Sequence, residues 1–124
     1  MTRPKAFLQW AIDTFGPVAR NRDERAARFI EEALELVHAQ CLPLVTVLRI
    51  AARVYERFPG EQAREIGQAM ATLECLAENV GLSADAECER EFARVLTIPK
   101  EEWLKRHDAK VSQQIARTTR GSFR

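Results

Sequence analysis

The residues best suited to chemistry are three glutamates in one short run, Glu31-Glu32-Ala33-Leu34-Glu35. On a helix, Glu31 and Glu35 stand one turn apart at i,i+4, and Glu32 and Glu35 are neighbours at i,i+3. The apolar residues around them (Ala26, Phe29, Ile30, Ala33, Leu34, Leu36, Val37) fall on the other arc and cover about half the circumference, a breadth that suits burial against more than one neighbour. Three like charges this close repel one another, and helix propensity does not ask for them. A hard divalent cation offsets the repulsion, because Mg²⁺ takes carboxylate oxygens at octahedral positions and completes its shell with water or phosphate oxygens. For this helix taken alone, a solvated acidic face partly neutralised by Arg25 and Arg28 is the plainer reading.

A later segment adds a fourth carboxylate. Its apolar arc holds Ile66, Ala69, Met70, Leu73, Leu76 and Val80, and along one border runs a strip of Glu61, Glu65, Gln68, Thr72 and Asn79. Glu61 is accounted for by the helix dipole, which favours an acidic residue in the first turn. Glu65 lies a full turn further in, among neutral polar groups beside the core arc, as at the edge of a partly covered site. Other chemistries find less support. Glu35-Leu36-Val37-His38 reads as the Glu-x-x-His half of a di-iron bundle, but His107 is preceded at i−3 by Leu104, so the second half is missing. No phosphate-binding GxxxxGK[ST] loop, HExxH or GxSxG stands in the chain.

Glu31-Glu32-x-x-Glu35 on one helix, then a proline-glycine break and a later helix carrying Glu65-Ile66-Gly67, resembles the EExxE…ExxD signature of the MazG-like all-α nucleoside triphosphate pyrophosphohydrolases. The resemblance runs from about Pro4 to Val95 and includes the helix order and the turn from Arg57 to Gly60. It implies Mg²⁺-dependent hydrolysis of an NTP or dNTP to the monophosphate and pyrophosphate, with Mn²⁺ able to substitute. It implies Glu32, Glu35 and Glu65 as metal ligands, with Glu31 and Glu35 as catalytic carboxylates, Glu31 orienting a ligand or the attacking water. The aspartate of ExxD falls at Gln68, a departure: an amide can offer one oxygen to a metal but brings no charge and cannot act as a base. Basic residues after that helix make Arg90, Arg94, Lys105 and Arg106 candidates for the phosphates. Trp10 is a candidate for stacking on a base, although a tryptophan on a short amphipathic helix serves more often in a core. A catalytically weak or silent relative working as a helical interaction module is the alternative, and Gln68 is its support.

The elements that must position these residues are all helical. Gly16-Pro17 closes a first amphipathic piece, Pro4 to Phe15, and Asp23 is expected to cap a second from Glu24 to Gln40. Pro43 opens a third, Leu44 to Phe58, whose apolar residues follow the 3-and-4 spacing. Pro59-Gly60 turns the chain into a fourth, Glu61 to Val80, ended by Gly81, and Ser83 is expected to cap a fifth, Ala84 to Leu96. The expectation is an all-α bundle of four to five helices over residues 1–98, followed by a basic extension, 99–124, partly helical or flexible. That extension holds Lys100, Lys105, Arg106, Lys110, Arg117, Arg120 and Arg124 against Glu101, Glu102 and Asp108.

Bulk composition narrows the rest. The chain has 124 residues, 46% of them hydrophobic, too apolar for disorder and of one-domain length. A net charge of +1 gives no ground for a polyanionic partner, and no nucleic-acid partner is expected. Cys41, Cys75 and Cys88 form an odd set without a CxxC pair, which fits free thiols in a reducing compartment. With no apolar leader and no span of membrane length, the expectation is a cytoplasmic protein without a membrane partner. The broad apolar arc of the second helix exceeds what one small bundle covers, so a homodimer or tetramer is expected to complete the fold.

Overall fold

The computed structural model describes residues 1–118, and among these every regular element is helical. Six α-helices are present, α1 (Arg3–Phe15), α2 (Arg22–Ala39), α3 (Leu44–Tyr55), α4 (Gln62–Asn79), α5 (Ala84–Val95) and α6 (Lys100–Ser112), with a 3₁₀ turn, Gly16–Arg20, between the first two. The sixth arises within the expected extension: Pro99 provides an extended N-cap, and Glu101 and Glu102 in the first turn complement the helix dipole. Arg120 and Arg124 of that extension lie outside the described residues.

The chain divides into two compact units, the first formed by Met1–Gln40 with the chain from Leu96 onward, the second by Cys41–Val95. The described part of the expected extension, residues 99–118, therefore packs with the N-terminal residues. In the first unit, α1 opens with Pro4 in its first turn and ends at Gly16, whose φ of 81° few other residues adopt. The small residues Ala11, Val18 and Ala19 are buried where α1, the 3₁₀ turn and α2 meet. Beside them Trp10 stacks edge-to-face on Trp103 of α6 and on Phe15, at centroid distances of 5.1 and 5.9 Å. The cap of α2 is Asn21 rather than the expected Asp23: its Oδ1 accepts from the Glu24 N–H at 2.9 Å. Asp23 and Glu24 instead occupy the first turn, where their charge favours the positive helix end.

In the second unit, α3 stops at Tyr55, short of the expected Phe58. Pro59 disfavours helical geometry at the residue before it, and Arg57 N–H already closes a tighter turn onto Val54 O. The Glu61 carboxylate caps α4, accepting from Ala63 and Arg64 N–H at 3.2 and 3.1 Å. Gly81, at φ 78°, ends it with a Schellman pair, Gly81 N–H to Glu78 O and Leu82 N–H to Ala77 O. Ser83 Oγ caps α5 through Ala86 N–H at 3.1 Å, as expected from the sequence. Helices α4 and α5 pack together, yet no residue of α3 or α4 is buried. Leu44 is 71% exposed, Ile66 62% and Phe58 99%. No described helix is long and apolar enough to cross a membrane.

Candidate functional site

The α2 carboxylates share a face, as the spacing predicts. Glu32 takes up a proton more readily than an ordinary carboxyl. Partial desolvation of its carboxyl is the largest cause, although the residue as a whole is exposed. The side-chain hydrogen bond with Glu35 follows, then the charges of Glu35 and Glu31, while Lys110 works in the opposite direction. Glu31 is less exposed and has cationic partners: Lys110 Nζ donates to its Oε1 at 2.7 Å, and Arg28 Nε stands 3.8 Å from the same oxygen.

Glu65 belongs to the second unit. It lies in the first turn of α4, and its carboxyl folds back over Gly60 so closely that a Cβ there would fall 2.5 Å from Oε1. Glycine at position 60 is what leaves room for this carboxyl beside the turn. Gln68 is one turn further along α4, exposed, and its main-chain carbonyl accepts from Thr72 Oγ1 at 3.0 Å. Among the described residues no three His, Cys, Asp or Glu side chains are grouped so as to hold a metal ion. The carboxylate oxygens of Glu32 and Glu35 are of the kind a hard cation accepts.

The basic candidates are differently placed. Arg90 pairs with Glu87, and Arg94 with Glu91 through two nitrogens at 2.6 and 2.8 Å, both within α5. The Arg94 bonds hold the Glu91 carboxyl below the usual carboxylate range, burial opposing. Arg106 pairs with Glu102 at 3.1 Å and lies over the Trp103 ring, 5.2 Å from its centroid. Lys105 is exposed on α6. Trp10 is engaged in the aromatic cluster with Phe15 and Trp103.

Glu24, Lys110 and His107 bear on this face, a role the sequence pattern does not assign them. Glu24, Arg28, Glu31 and Glu35 recur at i, i+4, i+7 and i+11, one stripe along α2, and that spacing was legible. What it could not show is the partner: Lys110 is 79 residues from Glu31 in sequence. The buried Glu24 and His107 meet at 3.8 Å on the same side of α2. No family model, curated protein or solved structure matches this chain.

Proposed function

We propose that this protein is a divalent-cation-dependent nucleotide pyrophosphohydrolase, converting an NTP or dNTP and water to the nucleoside monophosphate and pyrophosphate, and acting as a homodimer or tetramer in the cytoplasm. The observation that carries the reading is the raised proton affinity of Glu32 between Glu35 and Glu31. Neighbouring carboxylates whose charges raise the proton affinity of Glu32 would also be favoured by a cation beside them. The resemblance of Glu31-Glu32-x-x-Glu35 and Glu65 to the MazG-like signature supplies the substrate class. In this reading Glu32, Glu35 and Glu65 hold Mg²⁺, with Gln68 offering a neutral amide oxygen. The ion would neutralise phosphate charge and make a nearby water more acidic. Glu31 orients that water toward the α-phosphorus, and pyrophosphate leaves. Lys105 and the arginines 90, 94 and 106 are candidates for the β- and γ-phosphates. The glutamate pairs of those arginines are exposed and worth only about 0.3–0.5 kcal/mol each, so a phosphate can displace them. Trp10, if it met a base, would have to leave its aromatic packing, so stacking is the weakest of these assignments.

The oligomer is supported by the uncovered apolar faces of α3 and α4. Single exposed apolar residues need no explanation, but Leu44, Leu48, Ile66 and Met70 are each more than half exposed, and neither helix has a buried residue. A second copy of the same two helices would form a four-helix core. The same faces, with Gln68 in place of an aspartate, also favour the second reading, a helical interaction module without turnover. Incubating the protein with each NTP and dNTP plus Mg²⁺ or Mn²⁺, and resolving products by ion exchange, separates the two. Monophosphate and pyrophosphate in equal amounts, lost in Glu35→Gln, are expected. No turnover of any nucleotide and no cation-dependent thermal shift would leave the module.

A further inference from the structure

The C-terminal end of α6 reverses direction in a Schellman turn: Gln114 adopts a φ of 63°, and the Gln114 and Ile115 N–H groups donate to Val111 and Lys110 carbonyls at 3.0 Å each. The chain that leaves this turn is gripped by its main chain. Arg28 donates through a terminal guanidinium nitrogen to Ile115 O. Glu24 Oε1 accepts from Arg117 N–H at 2.9 Å, and His107 Nε2 donates to Arg117 O. The Arg117 guanidinium adds a bond to Asp23. Glu24 and His107 are 2% and 4% exposed, and the pyrophosphohydrolase reading uses neither. An ionisable pair is costly to bury, and an apolar pair of similar size would fill the space as well, so this pair calls for a role that packing does not supply. What it does here is to read the backbone of one short segment at both its N–H and its C=O.

The grip has a consequence on the acidic face. Lys110 sits just before the reversal, with its ammonium on Glu31. We propose that residues 113–118 are a strap, latched through their main chain by Glu24, Arg28 and His107, and that closing the strap commits Glu31 to Lys110 while opening it frees that carboxylate. The contacts from Glu24, Arg28 and His107 are to main-chain atoms and so recognise the strap by its path, while the Arg117 guanidinium adds a side-chain contact to Asp23. The inference lies within the first unit and stands apart from the catalytic reading, since testing it requires neither nucleotide nor cation.

Amide hydrogen exchange by NMR on the full chain tests it. The Arg117 amide of the unaltered protein should exchange at least about 100-fold more slowly than an unstructured peptide. Lys110 should react with an amine-acetylating reagent more slowly than the exposed Lys100 and Lys105. Glu24→Gln turns one acceptor into a donor facing Arg28 and His107, and His107→Phe keeps the ring beside Phe15 but removes the Nε2 donor. Each should cut Arg117 protection by about tenfold or more and raise Lys110 labelling toward that of Lys105. Unprotected exchange at Arg117 in the unaltered protein overturns the proposal whether or not the variants fold. So do folded variants in which both readouts stay where they were.

Discussion

At the residue scale, what distinguishes this chain is how differently its four acidic site residues are held. Glu31 has Lys110 and Arg28 beside it. Glu32 is partly desolvated and has carboxylates beside it, and its proton affinity rises. Glu65 has a glycine beneath it. For Glu32 the sign follows from linkage: the folded state binds the proton more tightly than the unfolded chain does, so the penalty for ionisation is absent below the unfolded value and grows as pH rises through the folded one. Glu32→Gln is therefore expected to raise the melting temperature near neutral pH in metal-free buffer. Because the residue is exposed, the gain should match a like-charge helix pair, about 0.2–0.5 kcal/mol. It should vanish as pH falls through the carboxylate range. Thermal melts across that range check it, and destabilisation at neutral pH would contradict the assignment.

At the scale of elements, the sequence was most legible where local chemistry decides the outcome. The turns at Gly16-Pro17, Pro43, Pro59-Gly60 and Gly81 bound helices within a few residues of the predicted ends, and Ser83 caps α5 as expected. Asp23 against Asn21 was decided by two residues of register, because both types cap well. Helix α6 was harder to see, since its apolar residues are few and Trp103 finds its partners in Trp10 and Phe15, far back in the chain. The acidic face of α2 was legible from spacing alone. Its link to Lys110 and the buried Glu24–His107 pair were not, because contacts between distant segments leave no periodic trace. Two helix ends carry strain that the sequence does not announce: Gln114 after α6 and Cys41 just past α2 each have a φ of 63°, where helices usually place glycine. A left-handed non-glycine residue costs about 1–2 kcal/mol, partly offset by the backbone entropy that glycine would lose on folding. Cys41→Gly should therefore stabilise the protein by about 0.5 kcal/mol or more in denaturant unfolding. A lower midpoint at unchanged slope would show that the thiol contributes something this backbone argument omits.

At the scale of the whole molecule, the proposal includes assembly. The first unit has a buried core and an aromatic cluster but leaves Phe29, Ile30 and Leu34 of α2 exposed, and α3 and α4 of the second leave their apolar residues open. Sedimentation equilibrium at micromolar protein should therefore give a mass of at least twice the 14.1 kDa of one chain. Leu48→Lys together with Ile66→Lys should return it toward that of the monomer, and a monomer in the unaltered protein would remove the oligomer from the account. The proposal's central claim is narrower: Glu32, Glu35 and Glu65 are ligands of a divalent ion. Paramagnetic broadening by Mn²⁺, read on assigned backbone amides with no nucleotide present, addresses that claim most directly. The account predicts that substoichiometric Mn²⁺ broadens the amides around Glu32, Glu35 and Glu65 together, and that Glu65→Gln weakens the effect at all three. Broadening confined to one helix, or absent from both, would contradict it.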